Sequence, residues 1–92
     1  MQREAAETLG LRALAWLAGN DELLEVFLGS TGAALGDLRR RAREPEFLGS
    51  VLDFLLHDDA WVLDFAADAG VSPGDLGLAR QALPGGAPMH WT

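Results

Sequence analysis

The sequence contains no cysteine, lysine, tyrosine or isoleucine among its 92 residues. Without cysteine, the chain has no disulfide, no thiolate metal site and no cysteine nucleophile. No apolar run approaches the ~18 residues that a bilayer-spanning helix needs. The segment Met1–Glu7 carries acids where a secretory signal would carry basic residues followed by a long apolar stretch. We therefore expect a cytoplasmic protein that does not enter a membrane.

Signals for β-strands are also missing. Only four valines are present, and no segment alternates apolar and polar residues between hairpin turns. Apolar residues recur instead at helical spacing along most of the chain. A chain of 92 residues has room for a single core, and its hydrophobic fraction of 49% is ample to fill one. The sequence therefore predicts an all-α fold, a compact bundle of five to six short helices.

Capping residues indicate where these helices begin and end. Asn20 and Asp58 are good N-caps, and Ser72 followed by Pro73 and Asp75 is typical of a capped helix start. The predicted helices are Arg3–Ala18, Asp21–Gly29, Leu35–Arg43, Glu46–Leu56, Asp59–Ala69 and a sixth from Pro73 to about Leu83.

The chain also repeats itself at a spacing of 38 residues. When residues 9–42 are aligned with residues 47–80, eight of the 34 pairs are identical. The identical pairs are Leu14/Leu52, Leu17/Leu55, Asp21/Asp59, Phe27/Phe65, Gly32/Gly70, Gly36/Gly74, Asp37/Asp75 and Leu38/Leu76. They fall on apolar helix positions, turn glycines and a helix start, where structure constrains sequence most. The pattern predicts two related three-helix units that pack into one shared core.

We expect residues 1–86 to form this single domain and residues 87–92 to form a flexible C-terminal tail, because a Pro/Gly-rich segment breaks the last helix. Trp91 lies in the tail with no obvious core to enter, so it is a candidate for docking on the domain or on a partner. Trp16 and Trp61, which lie at helical core spacing, are expected to anchor the core.

The net charge is −7, and all seven basic residues are arginines. This charge repels nucleic acid and anionic membranes at long range and favours partners with basic surfaces. One basic cluster on the third helix could still serve a nucleic-acid interface. It consists of Arg39, Arg40, Arg41 and Arg43. Acids at helical spacing predict the ion pairs Asp37–Arg41 and Arg40–Glu44, so a solvated helix face or a protein contact is the favoured interpretation.

His57 lies close in sequence to Asp53, Asp58 and Asp59. Asp53 and His57 are four residues apart and could share a helix face, as the members of a metal site or an acid–base pair would. The competing interpretation is that Asp58 caps the fifth helix while His57 lies at the carbonyl end of the fourth. We favour the second interpretation, because no carboxylate-bearing helix repeats this pattern to complete a ligand set, and we expect no metal and no cofactor.

Little in the sequence supports catalysis. The serines occupy a turn, a helix and a cap, and no nucleophile elbow, phosphate loop or dinucleotide fingerprint is present. We therefore expect that the protein is not an enzyme.

Three stretches of the chain carry a resemblance to a known family: Ala13–Leu17 (ALAWL), Glu46–Leu56 (EFLGSVLDFLL) and Ala82–Gly86 (ALPGG). Together they resemble a family of short bacterial proteins known as domain of unknown function 3572. The resemblance extends over nearly the whole chain, to about Gly86. It implies a small cytosolic bacterial helical protein, and it brings no activity, cofactor or catalytic residue with it.

The function favoured by the sequence is a non-catalytic protein-interaction or adaptor domain with an acidic surface. Its partner would be another protein or a second copy of the chain. The alternative is a small nucleic-acid-associated regulator that works through the arginine cluster, although the charge disfavours nucleic acid as a partner. The candidate interaction residues are Arg39, Arg40, Arg41, Arg43, His57 and Trp91.

Overall fold

The computed structural model of the protein describes residues 1–84, and within that range it contains six α-helices, one 3-10 turn and no strand. The elements are α1 Arg3–Ala18, α2 Asp21–Thr31, the 3-10 turn Leu35–Asp37, α3 Leu38–Arg41, α4 Pro45–Leu56, α5 Asp59–Ala69 and α6 Pro73–Ala82. The all-α prediction is confirmed. The predicted tail, including Trp91, lies outside the described residues.

The core is built around α4, which packs against α1, α2, α5 and α6. Seven residues of this helix are buried: Phe47, Leu48, Gly49, Val51, Leu52, Phe54 and Leu55. The fully buried ring of Phe27, from α2, packs edge-on against Phe47 and Phe54, with ring centroids 5.7 and 5.3 Å apart. Such contacts add to the free energy of burying the rings, so they hold α2 on α4.

α1 crosses α4 at a glycine. A Cβ added to Gly10 would lie 2.9 Å from Cβ of Leu48, which is closer than such atoms approach in proteins. Gly10 is itself buried within α1. The absence of a side chain at this position therefore sets the distance between the two central helices.

The predicted caps form as expected. The Asn20 side chain accepts a hydrogen bond from the backbone N–H of Leu23 at 3.2 Å, and the Asp58 side chain accepts one from Ala60 at 2.8 Å. At the start of α6, the Asp75 carboxylate accepts from the backbone N–H of its N-cap residue at 3.2 Å. These local bonds explain why the starts of α2, α5 and α6 are predictable from sequence.

Two elements differ from the prediction by more than one residue. α2 continues past Gly29 to Thr31, and it ends where Gly32 adopts a left-handed φ of 74°. The predicted continuous helix from Leu35 to Arg43 is wrong: a 3-10 turn over Leu35–Asp37 precedes an α-helix of only four residues. Glycine and aspartate, at positions 36 and 37, are poor helix formers, so the tighter turn forms there.

The internal duplication remains a prediction. The corresponding helices α2 and α5 both have 11 residues, and both end at a left-handed glycine, Gly32 or Gly70. The third elements differ, because α3 has four residues whereas α6 has ten and packs against both α1 and α4.

Candidate functional site

The arginine cluster is partly neutralised by neighbouring acids. The predicted Arg40–Glu44 pair is present at 3.9 Å, but the predicted Asp37–Arg41 pair is wrong, because Asp37 contacts Arg40 at 3.4 Å. Asp37 is the N-cap residue of α3, and residues three apart on a helix surface are neighbours, so Arg40 reaches that carboxylate.

The other arginines of the cluster divide into two kinds. Arg41 contacts Glu44 at 3.4 Å and lies over the Phe47 ring, with its guanidinium carbon 4.5 Å from the ring centroid. Arg39 and Arg43 are exposed, and neither forms an ion pair with any residue between positions 1 and 84. Among the described residues, the cluster therefore presents two free cations rather than four.

His57 lies on a different part of the surface, where a groove of about 490 Å³ opens between α2, α4 and α5; we call it the apolar groove. It is lined by Val26, Ser30 and Thr31 of α2, by Ser50, Asp53 and Phe54 of α4, by His57 directly after α4, and by Trp61 of α5. The indole of Trp61 stacks on Phe54 with ring centroids 4.8 Å apart and planes inclined by 21°. Trp61 is only half-buried, so the predicted core anchor also forms part of the surface.

The polar side chains in the apolar groove already have hydrogen-bond partners. His57 Nδ1 lies 2.7 Å from the carbonyl oxygen of Asp53, and because a carbonyl only accepts, Nδ1 is the donor. The Ser50 hydroxyl donates to the Glu46 carbonyl at 3.2 Å, and the Asp53 carboxylate accepts from Arg80 at 2.6 Å. Asp53 and His57 both line this groove, and the contact between them runs from the imidazole to the backbone carbonyl rather than to the carboxylate. No hydrogen bond in the described chain joins the serine to the histidine, however.

A second groove, of about 890 Å³, opens where the end of α1 and the start of α2 meet the end of α5. We call it the acidic groove. It is lined by Ala15, Trp16 and Gly19, by Asn20, Asp21 and Glu22, and by Asp64, Ala67 and Asp68. Within residues 1–84, no basic residue lines it.

Trp16 forms one wall of the acidic groove. Its Nε1–H donates to Asp68 at 2.8 Å, and its ring packs edge-on against Phe65 with centroids 5.8 Å apart. The sequence did not predict this groove. The available signal was Asp64 and Asp68, four residues apart on one face of α5, but nothing local indicated that they lie near the start of α2.

The two grooves lie one after the other between α2 and α5. The first turn of α2 lines the acidic groove and its last turns line the apolar groove, whereas α5 contributes Trp61 to the apolar groove and Asp64 and Asp68 to the acidic one. The two helices therefore run in opposite directions past the two grooves, and each helix lines both. We call the two grooves together, with their apolar and acidic ends, the α2–α5 trough.

The described part of the chain offers few other kinds of site. Within residues 1–84, no group of three or more histidine or acidic side chains is arranged to hold a metal ion. None of the helices described is both long and apolar enough to cross a bilayer.

Comparisons with known proteins identify the family of this chain. No curated protein and no solved structure matches it. A family model described as "Protein of unknown function (DUF3572)" matches residues 3–86, which is nearly the whole chain, and the resemblance carried by the three sequence stretches is thereby confirmed. The chain belongs to the DUF3572 family.

Proposed function

We propose that the protein is a non-catalytic interaction domain that docks a partner protein on the α2–α5 trough. The apolar groove carries this proposal, because Val26 is 50% exposed there beside the half-buried Trp61. Single exposed apolar residues are ordinary, but a concave surface that combines an aliphatic side chain with a stacked pair of aromatic rings is typical of binding sites.

The composition of the groove agrees with this function. Tryptophan is enriched among the residues that dominate binding energies, and Trp61 is held in place by its stacking on Phe54. A rigid anchor loses little conformational freedom when a partner binds. Under this proposal the protein works in the cytoplasm, where a net charge of −7 keeps it in solution and attracts basic partners.

The test uses two substitutions of matched exposure. Val26 lies in the apolar groove and Leu78 lies on α6, and each is 50% exposed. Wild-type protein, Val26→Glu and Leu78→Glu serve as baits for affinity capture from the native host, with quantitative mass spectrometry and with circular dichroism to check folding. We expect at least one captured protein that wild type and Leu78→Glu recover equally well. Its recovery on Val26→Glu should fall by about tenfold or more, since a buried anchor commonly contributes about 1.4 kcal/mol or more to binding.

Two results would contradict the proposal. One is a set of captured proteins that Val26→Glu and Leu78→Glu affect equally. The other is co-purification of nucleic acid with no protein that depends on Val26.

A nucleic-acid-associated regulator is the second candidate function. It is favoured by one observation, the unpaired state of Arg39 and Arg43 within the described residues. It ranks second because two cations neutralise about two phosphates, which supports only weak binding that falls with salt.

A further inference from the structure

We propose that the segment docked in the α2–α5 trough is a basic amphipathic α-helix of a partner protein. Its apolar side chains would occupy the apolar groove, and its arginine or lysine side chains would lie over the acidic groove. This inference rests on the proposed function, because it specifies the kind of segment that the same surface binds.

The shape of the trough favours a helix as the occupant. Its walls are α2 and α5, each of 11 residues and therefore about 16 Å long, at 1.5 Å per residue. A depression between two helices accepts the ridge of side chains on a third, with anchors one turn apart. A segment that docks by strand addition would instead need a sheet edge, and the described residues contain no strand.

The charge of the trough favours a basic occupant. Asp21, Glu22 and Asp64 line the acidic groove, and none of them forms an ion pair within residues 1–84. The nearby cation, Arg12, donates to the backbone carbonyl of Ala69 instead. These carboxylates are therefore open to cations of a partner, and their field would increase the rate of encounter with a basic segment.

Several acids outside the acidic groove already contact arginines. Asp37 and Glu44 contact arginines on their own segment, and Asp53 contacts Arg80. The acidic groove thus has carboxylates with no ion-pair partner within residues 1–84, whereas Asp53, the carboxylate that lines the apolar groove, is already paired with Arg80. A partner that placed its cations at the apolar end would compete with Arg80, whereas at the acidic end it would meet no such competitor.

The spacing of the lining residues sets the pattern of the partner helix. On α5, Asp64 and Asp68 follow Trp61 by three and seven residues, which corresponds to about 5 and 10 Å along the axis. On α2, Glu22 precedes Val26 by one turn. The partner helix therefore carries its apolar anchors at one end and its basic residues one and two turns further along the same face.

The test uses two synthetic helical peptides with the same leucine and phenylalanine anchors. The basic probe carries arginine one and two turns from the anchors, and the acidic probe carries glutamate at those positions. Fluorescence anisotropy with the full chain should show saturable binding of the basic probe, at least about tenfold tighter than the acidic one and weakening as salt increases.

Matched variants connect this binding to the trough. The double substitution Asp64→Asn/Asp68→Asn should weaken the basic probe by about tenfold, and the amide at position 68 can still accept the Trp16 N–H. Glu4→Gln/Glu46→Gln removes the same net charge from exposed positions outside both grooves and should have little effect.

The outcomes separate this inference from the function on which it rests. If Val26→Glu abolishes binding of both probes while charge makes no difference, the inference is overturned and the docking function stands. If the basic probe does not bind saturably, the inference is overturned, and the capture experiment with Val26→Glu decides the function separately.

Other occupants of the trough would also overturn the inference. A dimer detected by light scattering and dissociated by Val26→Glu would assign the trough to a second copy of the chain. If the Trp91→Ala variant binds the basic probe more tightly than wild type does, the trough would be assigned to the C-terminal segment of the chain itself.

Discussion

Arg80 Nε on α6 lies 2.6 Å from Asp53 Oδ1 on α4, and this is the shortest ion pair within residues 1–84. The Arg80 side chain is only 14% exposed, and it also donates to the Pro84 carbonyl at 3.1 Å. It fits there because position 49 is glycine, where an added Cβ would lie 2.7 Å from Arg80 Nη1. Arg80 therefore fastens the end of α6 to α4 and orients Asp53 at the apolar groove.

Replacing Arg80 with methionine should lower the free energy of unfolding by about 2 kcal/mol, because a charged hydrogen bond is lost and a nearly buried arginine contact is removed. Arg3→Met is the matched control, since its pair with Glu7, at 3.1 Å, has an arginine that is 58% exposed. That control should change stability by less than about 0.5 kcal/mol. Urea unfolding followed by circular dichroism measures both, and equal effects would show that the Arg80 contacts contribute no more than a surface pair.

Two glycine substitutions should have opposite effects on stability, because Gly10 lies at the contact between α1 and α4 whereas Gly29 lies at an open position of α2. Gly10→Ala should destabilise the fold by about 1–3 kcal/mol, because its Cβ would collide with that of Leu48. Gly29→Ala, within α2 and with nothing within 4 Å of the added Cβ, should stabilise it by up to about 1 kcal/mol. Chemical denaturation tests this prediction. Stabilisation by both substitutions would mean that helix propensity outweighs packing at Gly10.

The end of α2 depends on a backbone conformation. Gly32→Ala should cost about 1–2 kcal/mol, because an alanine at a φ of 74° is strained although space is available. Gly36→Ala is the control, since its added Cβ also meets nothing within 4 Å and its φ is not positive. Thermal unfolding should show a lower Tm for Gly32→Ala alone. The same loss in both variants would mean that the left-handed φ is not the cause.

The two unpaired arginines predict at most weak contact with nucleic acid. A labelled DNA duplex should show no saturable binding at physiological salt, since the net charge of −7 opposes the two cations. Anisotropy over a range of salt concentrations measures this, with Arg39→Gln/Arg43→Gln as the informative variant and Arg3→Gln as the control. Tight binding that falls steeply with salt and is lost only in the double variant would favour the regulator instead.

The sequence determined the helices of this protein to a large extent. The bounds of α1 and α5 were predicted correctly, and the caps at Asn20 and Asp58 form as expected, because a cap is a contact between residues two or three positions apart. The prediction was wrong where local preferences compete, at the 3-10 turn before α3. Helical spacing predicted Trp61 as a core anchor, but it did not indicate that this side chain would remain half-exposed.

The tertiary structure alone decided the candidate site. Asp21 and Asp64 are some forty positions apart in the chain, and they line one groove only because α2 and α5 run antiparallel across the core. The Asp53–Arg80 pair depends in the same way on how α6 packs against α4. Helix formation depends on residues within one or two turns of each other, and these are close together in the sequence, so the helices can be predicted from it. The position of one helix relative to another depends on the sum of many small packing contacts, so the trough emerges only when the whole core has formed.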